Sequence, residues 1–220
     1  MVPKAAGPAG LGAYLALPER TPAPGLVIIH EISGLDDHTR RVAERFADAG
    51  YAALAVDLFS DGSRASCLLR IFYGILIKPL GNGVVADLRA AINALSARPE
   101  ADSSRLGVIG FCMGGSYALQ LACIEGSLKA ACVFYGQNPR PLDAVAHACP
   151  IVGSYPERDF TSGQARKLEL ALTRFGVPHA IKIYPGARHS FFNETRKAHD
   201  SEAASDAWAR TLRFFEQHLK

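Results

Sequence analysis

A glycine-rich segment between an apolar run and a helical run most constrains what this chain can fold into. The six residues that begin at Gly110 read Gly-Phe-Cys-Met-Gly-Gly; they follow the apolar residues 106–109 and precede the helix-like run 116–122. A strand, a sharp turn with Cys112 at its apex and a helix require small residues two positions before and after the apex. Gly110 and Gly114 meet that requirement. The segment, which we call the elbow, therefore predicts a strained turn that presents the sulfur at a helix N-terminus.

Cys112 in that setting would act as a nucleophile. The peptide dipoles and free N–H groups of a helix N-terminus stabilise the thiolate, which is the reactive form of a cysteine side chain. The same residues also fit an inert, buried cysteine in a glycine-rich turn. An acid and a histidine further along the chain are needed to distinguish the two interpretations.

Two polar residues after the elbow complete a candidate catalytic set. Asp159 follows the apolar run 151–155, and His189 follows another apolar run at 180–184. Open α/β sheets place catalytic groups at such strand ends, and each interval leaves room for a strand-and-helix unit of roughly 30 residues. Nucleophile, acid, histidine is also the chain order of hydrolases that carry such an elbow. The sequence thus predicts a triad of Cys112, Asp159 and His189.

Other acids and histidines fit this triad less well. Asp57 ends an apolar run but precedes the nucleophile, which breaks the expected chain order. Glu157 lies in the same loop as Asp159 and remains an alternative acid. The remaining histidines have no evident catalytic partner, and we expect them to pack in the interior or to lie at the surface. They are His30, His38, His147, His179, His199 and His218.

Strand-like and helix-like runs alternate along the chain. Seven apolar runs predict strands at 12–17, 25–30, 52–57, 106–111, 130–135, 151–154 and 180–184. Amphipathic runs predict helices near 39–49, 84–97, 116–123, 162–175 and 200–218. This βαβα order predicts an α/β fold with a mostly parallel sheet and helices on both faces. No composition shift marks a boundary, so residues 1–220 are predicted to form one domain.

The motifs together resemble those of the dienelactone hydrolases, a thiol branch of the α/β-hydrolase fold. Besides the elbow and the loop with Asp159, they are His-Glu-Ile-Ser-Gly at 30–34, Gly-Tyr-Ala-Ala at 50–53, Asp-Leu-Phe at 57–59 and Gly-Ala-Arg-His-Ser-Phe at 186–191. A cysteine elbow combined with a His-Glu pair after the first core strand is more specific than the elbow alone. The resemblance extends from about residue 12 to the C-terminus and implies the α/β-hydrolase fold and hydrolysis of an ester or lactone.

The resemblance also implies roles for individual residues. It carries the triad over unchanged and implies that Glu31 lies near the sulfur, where it takes part in switching the thiol to thiolate when substrate binds. An alternative for Glu31 is a strand-end carboxylate hydrogen-bonded to a loop. The thiolate would attack the carbonyl, and the backbone N–H groups of Ile32 and Met113 would hold the resulting oxyanion. Water activated by His189 would then hydrolyse the thioester.

Substrate recognition departs from the family pattern. Dienelactone hydrolases hold the substrate carboxylate with two arginines and with tyrosines, for which Arg70 and Tyr73 are candidates by position. The second arginine is expected four residues after His189, where this chain has Asn193. Residues 68–77 are strongly apolar and fit either a cap helix over the pocket or a core-packing helix. The predicted substrate is a small-molecule ester or lactone, either dienelactone-like or less polar.

Composition argues against several other classes of protein. A formal net charge of +3 with dispersed basic residues does not suit nucleic-acid binding. No run reaches the 18 or so apolar residues of a membrane span, and the interrupted sequence after Lys4 lacks a signal-peptide pattern. Five cysteines without a CxxC motif predict reduced thiols in the cytoplasm. We expect no metal, no cofactor, no membrane partner, and a monomer or homodimer.

Other activities fit parts of the same pattern. The chain could be a thiol-dependent carboxylesterase or thioesterase for a less polar substrate, or a peptidase with the same triad. It could also be a non-catalytic relative that binds a small ligand, although the presence of all three triad residues argues against this. A peroxide-reactive or acyl-carrying role for Cys112 is a further alternative, but no resolving cysteine is evident.

Overall fold

A seven-stranded sheet forms the centre of the protein. The computed structural model describes residues 11–60 and 62–220, so the segment around Lys4 lies outside it. The strands are β1 Gly12–Ala16, β2 Ala23–Ile29, β3 Ala52–Asp57, β4 Ala101–Phe111, β5 Leu128–Phe134, β6 Ile151–Arg158 and β7 His179–Arg188. The helices are α1 Asp37–Asp48, α2 Arg64–Leu76, α3 Gly83–Ser96, α4 Met113–Ile124, α5 Thr161–Arg174 and α6 Ser201–Leu219. The strand order is β1-β3-β2-β4-β5-β6-β7, with β1 antiparallel to β3 and the other pairs parallel.

Helices cover both faces of this sheet. On one face, α1 and α6 contribute Phe46 and Phe215 to an apolar core. On the other face, α2, α3, α4 and α5 form a second core that includes Ile71 and Leu88. The central strands are buried on both faces; β2 is buried over its whole length. Parallel strands between two helical layers contact apolar side chains above and below, which explains their continuous apolar runs.

This architecture confirms the predicted α/β fold, and each predicted strand is present. Several predicted boundaries are wrong; β6 and β7, for example, extend to residues 158 and 188 rather than ending at 154 and 184. β4 begins at Ala101 rather than at 106, because Ala101 and Asp102 already pair with β2 despite the polar sequence around them. α4 begins at Met113 rather than at 116, because close packing overrides the low helix propensity of the two glycines that follow Met113. The sequence also did not predict the short 3-10 helix at Leu142–His147.

The apolar segment 68–77 lies mostly in α2. One side of this helix packs into the core through Cys67, Ile71, Gly74 and Ile75. Its other side is exposed to solvent and carries large apolar side chains; these are Leu69, Phe72, Tyr73, Leu76 and, just after the helix, Ile77. The segment is therefore a core-packing helix with an uncovered apolar face. No helix within the two described ranges is long and apolar enough to cross a membrane.

Candidate active site

β4 and α4 present Cys112 in a strained backbone conformation. Its φ is 57° and its ψ is −117°, a region that residues other than glycine rarely occupy. Close packing around the elbow holds this conformation. A Cβ on Gly110 would overlap the backbone of Gly114, and a Cβ on Gly114 would overlap the carbonyl oxygen of Ile29. Strain that the surrounding structure enforces in this way is typical of functional sites.

The loops after β6 and β7 bring the predicted acid and the predicted histidine together. The Nδ1 atom of His189 lies 2.7 Å from Oδ2 of Asp159. The same oxygen accepts the Thr161 hydroxyl at 2.5 Å, and Oδ1 accepts the backbone N–H of Phe160 at 2.8 Å. The Asp159 side chain is only 6% exposed. Three donors therefore hold this carboxylate in one orientation.

The alternative acid points elsewhere, and it lies within β6 rather than in the loop after it, because the strand continues to Arg158. Glu157 is exposed, and its Oε2 accepts the backbone N–H of Gly186 at 2.9 Å. Its carboxylate thus holds the β6–β7 edge, whereas Asp159 is the acid that contacts the histidine. The sequence could not separate the two, because they lie only two residues apart.

His189 has a raised pKa. Burial by itself lowers this pKa, but the hydrogen bond and charge of Cys112, followed by those of Asp159, outweigh burial and raise the pKa from 6.5 to about 9. The ring is therefore protonated at neutral pH. Because Nδ1 donates to Asp159, Nε2 is the nitrogen left for the sulfur. An imidazolium in contact with a cysteine favours the thiolate form of that cysteine.

Three of the other cysteines lie in environments that suppress reactivity. Burial raises the pKa of Cys123, Cys132 and Cys149 to about 12 in each case. Thiols with such values stay protonated at neutral pH and are poor nucleophiles. Cys112 instead lies at the elbow and lines a cavity together with His189.

Glu31 is a buried carboxylate with several partners. It is 3% exposed, and its Oε1 accepts the Tyr135 hydroxyl at 2.8 Å. Its Oε2 accepts the Asn193 side-chain amide at 3.1 Å, and the Nε of Arg196 lies 4.0 Å from that oxygen. Burial, followed by the charge and hydrogen bond of Glu31, raises the pKa of Tyr135 well above its usual value. The phenol therefore remains a hydrogen-bond donor to Glu31.

The neighbouring His30 has a structural environment. It is fully buried, its Nδ1 lies 2.6 Å from the carbonyl oxygen of Glu31, and its Nε2 accepts the backbone N–H of Leu58 at 3.0 Å. Burial lowers the pKa of His30. A neutral ring that donates through Nδ1 and accepts through Nε2 satisfies both contacts, so His30 ties the end of β2 to the end of β3.

A cavity of about 380 Å³ opens at the sulfur, a volume suited to a small molecule. It is lined by Glu31, Ile32, Cys112, His189, Ser190, Arg196, Lys197 and Ala198. Five of these eight residues come from the end of β7 and the β7–α6 loop, which therefore shapes most of the site. Ile32 follows β2 at the cavity, and Met113 begins α4 beside the sulfur. The first N–H groups of a helix have no partner within the helix, which leaves the Met113 N–H available for an oxyanion.

The structure does not bring Arg70 and Tyr73 into this cavity. Both lie on α2, and neither is among the lining residues. The apolar face of α2 that packs into the core fixes the rotation of the helix, and the Arg70 guanidinium then pairs with Asp87 of α3 at 2.6 Å. Tyr73 is 51% exposed. Contact of these two residues with substrate stays a prediction.

Sequence reasoning missed several residues of the site, among them Tyr135 and Arg196, and recognised Asn193 only as a departure from the family pattern. Tyr135 lies directly after β5 with a φ of 41° and contacts Glu31, and its position at a strand end was a usable signal. Asn193 stood out only because an arginine was expected there. Arg196 matched no pattern, because its approach to the cavity depends on the path of a loop. Among the described residues, no cluster of three or more His, Cys, Asp or Glu side chains could hold a metal ion.

Comparisons with known proteins agree with this geometry. The profile of the dienelactone hydrolase family matches residues 11–219. The chain belongs to the dienelactone hydrolase family. A provisionally named carboxymethylenebutenolidase from Saccharolobus solfataricus is 31% identical over 249 aligned residues, which cover 96% of each chain. A relative of the same provisional name from Escherichia coli K12 is 30% identical and covers 94% of this chain and 82% of its own.

Solved structures of family members superpose closely on this one. A provisionally named dienelactone hydrolase from Klebsiella pneumoniae has a TM-score of 0.83 at 28% identity and covers 94% of this chain and 93% of its own. A dienelactone hydrolase-like promiscuous phosphotriesterase from metagenomic libraries has a TM-score of 0.82 at 25% identity, over 96% of this chain and 93% of its own. The predicted family resemblance, the α/β-hydrolase fold and assignment to the hydrolases are thereby confirmed.

Proposed function

We propose that this family member hydrolyses small carboxylic esters or lactones through a thioester on Cys112. The observation that carries the proposal is the pairing of a strained elbow cysteine with His189, whose pKa is about 9 and whose Nδ1 lies 2.7 Å from Asp159. A thiolate beside an imidazolium is an activated nucleophile for acyl carbons. The name carboxymethylenebutenolidase borne by the relatives supports a lactone or ester rather than an amide.

Acylation begins with attack of the thiolate on the carbonyl carbon. The carbonyl oxygen becomes an oxyanion, and the backbone N–H groups of Met113 and Ile32 stabilise it. One such donor typically contributes about 3 kcal/mol to lowering the barrier. His189 then donates its proton to the leaving alkoxide or enolate, the carbon–oxygen bond breaks, and the thioester remains on Cys112.

In deacylation the same imidazole acts as a base rather than as an acid. The thioester carries no charge, so acylation removes the first of the two groups that raise the pKa of His189. The imidazole therefore becomes neutral more readily and can take a proton from the attacking water. Asp159 keeps Nδ1 protonated throughout, so Nε2 is the nitrogen that exchanges the proton. Formation of the thioester thus turns the acid of the first step into the base of the second.

Glu31 is placed to influence the charge of Cys112. It lines the same cavity and is held by Tyr135 and Asn193. A negative carboxylate near the sulfur disfavours a second negative charge there. A substrate that draws Glu31 away, or draws Arg196 towards itself, would change the balance between thiol and thiolate. We propose that Glu31 takes part in switching the nucleophile in this way.

The cavity favours a substrate with a negative group. Arg196 and Lys197 line it, and the one lining acid, Glu31, already accepts two neutral donors. A carboxylate on the substrate could reach the Arg196 guanidinium, which is 43% exposed and lies 4.0 Å from Glu31. Charge-assisted hydrogen bonds of this kind are roughly twice as strong as neutral ones.

Turnover by Cys112→Ala tests the nucleophile. The wild-type protein should hydrolyse p-nitrophenyl acetate and dienelactone, the Cys112→Ala variant should hydrolyse neither, and mass spectrometry should find an acetyl group on Cys112 under single-turnover conditions. Cys149→Ala is the matched control, because it removes a thiol that lies outside the site and should leave turnover unchanged. Equal activity of Cys112→Ala and wild type would refute the mechanism. Activity towards simple esters or thioesters without dienelactone would select the carboxylesterase or thioesterase alternative.

A charged and a neutral ester test the role of Arg196. We expect Arg196→Ala to raise KM for mono-p-nitrophenyl succinate roughly ten-fold or more, as expected for a lost charge-assisted contact, while KM for p-nitrophenyl acetate stays constant. Arg166→Ala, at an exposed position on α5, controls for a general change in protein charge. An equal effect on both esters would show that Arg196 does not bind the substrate charge.

A further inference from the structure

Two aromatic rings contact the imidazole of His189. The Tyr135 ring centroid lies 4.9 Å from the imidazole centroid at an interplanar angle of 56°. The Phe160 ring centroid lies 5.7 Å away, and its plane is within 17° of parallel to the imidazole. Both separations lie in the range in which aromatic rings attract each other. One ring is the buried phenol that donates to Glu31, whereas the other belongs to a residue with no role in the mechanism described above.

Phe160 is an exposed phenylalanine with a fixed backbone. It is 65% exposed, so core packing does not account for a phenylalanine at this position. Its backbone N–H donates to Oδ1 of Asp159 at 2.8 Å, and the next residue, Thr161, donates its hydroxyl to Oδ2 of the same carboxylate. A single turn therefore fixes both the acid of the triad and the position of the Phe160 ring.

The imidazole needs more than one hydrogen bond to hold its plane. Rotation about the Cβ–Cγ bond of histidine is broad rather than confined to sharp minima. The bond from Nδ1 to Asp159 fixes the position of one nitrogen, but the ring can still tilt about it and carry Nε2 away from the sulfur. His189 is 30% exposed, so the protein does not surround it completely. A flat surface parallel to the ring removes this remaining freedom.

We propose that Phe160 is a positioning residue that stacks on His189 and keeps Nε2 directed at Cys112. The inference rests on the proposed function, since it assumes that His189 transfers protons to and from groups at the sulfur. Misdirection of Nε2 impairs proton transfer in both half-reactions but leaves the binding cavity unchanged, because Phe160 is not among the residues that line it. Loss of the ring should therefore lower kcat and leave KM unchanged.

Four variants test the proposal with ethyl acetate and phenyl acetate as substrates. We expect Phe160→Ala to lower kcat roughly five-fold on both esters, from the usual strength of an aromatic pair, at unchanged KM. Phe160→Tyr keeps the flat ring and should restore kcat to within about two-fold of wild type. Phe160→Leu keeps only the apolar bulk, and its kcat should lie between those of Phe160→Ala and Phe160→Tyr. Leu170→Ala is the matched control, because Leu170 lies on α5, is 72% exposed and lies away from the site. Its kcat should equal that of wild type.

Two outcomes would overturn the proposal. If Phe160→Ala raises KM for phenyl acetate alone at constant kcat, the ring contacts the substrate rather than the histidine. If kcat of Phe160→Ala equals that of wild type on both esters, the stacking has no catalytic role. Thermal unfolding of each variant checks that the fold is intact. Cys112→Ala separates this inference from the mechanism: if that variant is inactive while Phe160→Ala is unaffected, only the positioning role fails.

Discussion

Replacing Asp159 by asparagine tests the electrostatic part of the proposed triad with little change in shape. Three donors point at this carboxylate: the Phe160 N–H at Oδ1, and the Thr161 hydroxyl and the His189 ring at Oδ2. An amide has only one acceptor oxygen, so its NH2 group must face at least one donor. If the NH2 group faces the Phe160 N–H, it opposes one donor. In the other orientation it opposes two donors, the Thr161 hydroxyl and the His189 ring. We expect the first orientation, which keeps the hydrogen bond to His189 and removes the negative charge.

The raised pKa of His189 gives the size of the effect. Cys112 and Asp159 together raise it from 6.5 to about 9 against the opposing effect of burial, which corresponds to about 3 kcal/mol. The effects of Cys112 exceed those of Asp159, so we assign about 1 kcal/mol to the Asp159 charge. The pKa of His189 should therefore fall in Asp159→Asn but stay above 6.5. A loss of that size lowers kcat roughly five-fold.

Two measurements check this expectation. The first is kcat for p-nitrophenyl acetate in wild type, Asp159→Asn and Glu157→Gln. The second is the rate at which iodoacetamide alkylates Cys112 from about pH 5 to about pH 10, which follows the thiolate and hence its ion pair with His189. Glu157→Gln is the matched control, since Glu157 lies two residues before Asp159 but accepts a hydrogen bond from Gly186. The reasoning is refuted if Asp159→Asn keeps the wild-type kcat and alkylation profile, or if Glu157→Gln loses as much activity.

Three further predictions concern stability. Gly110→Ala should lower the free energy of unfolding by roughly 3 kcal/mol or prevent folding, because its Cβ would overlap the Gly114 backbone; urea denaturation at wild-type stability would contradict this. Tyr135→Phe should lower the free energy of unfolding by about 1–3 kcal/mol, because it removes a hydrogen-bond donor from buried Glu31. An unchanged thermal midpoint would contradict this expectation. The pKa of His189 is about 9 in the folded state and 6.5 in the unfolded state. Protonated His189 therefore stabilises the fold fully below about pH 6.5, and this contribution is lost as pH rises through about 9. The unfolding free energy of wild type relative to His189→Gln should then shrink by about 3 kcal/mol over that interval, and a constant difference would refute the assignment.

Much of the fold and of the candidate triad follows from local sequence. The seven apolar runs correspond to the seven strands, and the central runs are continuous because a parallel strand between helical layers must be apolar on both faces. Cys112, Asp159 and His189 could be proposed because each follows a strand, and the carboxyl ends of parallel strands meet at one edge of the sheet. The elbow could be predicted without tertiary information, because its glycines indicate that two backbone segments approach each other too closely to admit a side chain.

The tertiary structure decided what the loops bring to the site. The separation of Asp159 from Glu157 depends on which carboxylate lies beside His189, a contact between segments about 30 residues apart in sequence. Arg196 lines the cavity because the β7–α6 loop turns back over the sulfur, whereas Arg70 faces Asp87 because α2 buries its apolar side. Strand positions follow from a repeating pattern of apolar residues, but loop paths have no such period. They are set by long-range hydrogen bonds such as those that Glu31 accepts from Tyr135 and Asn193.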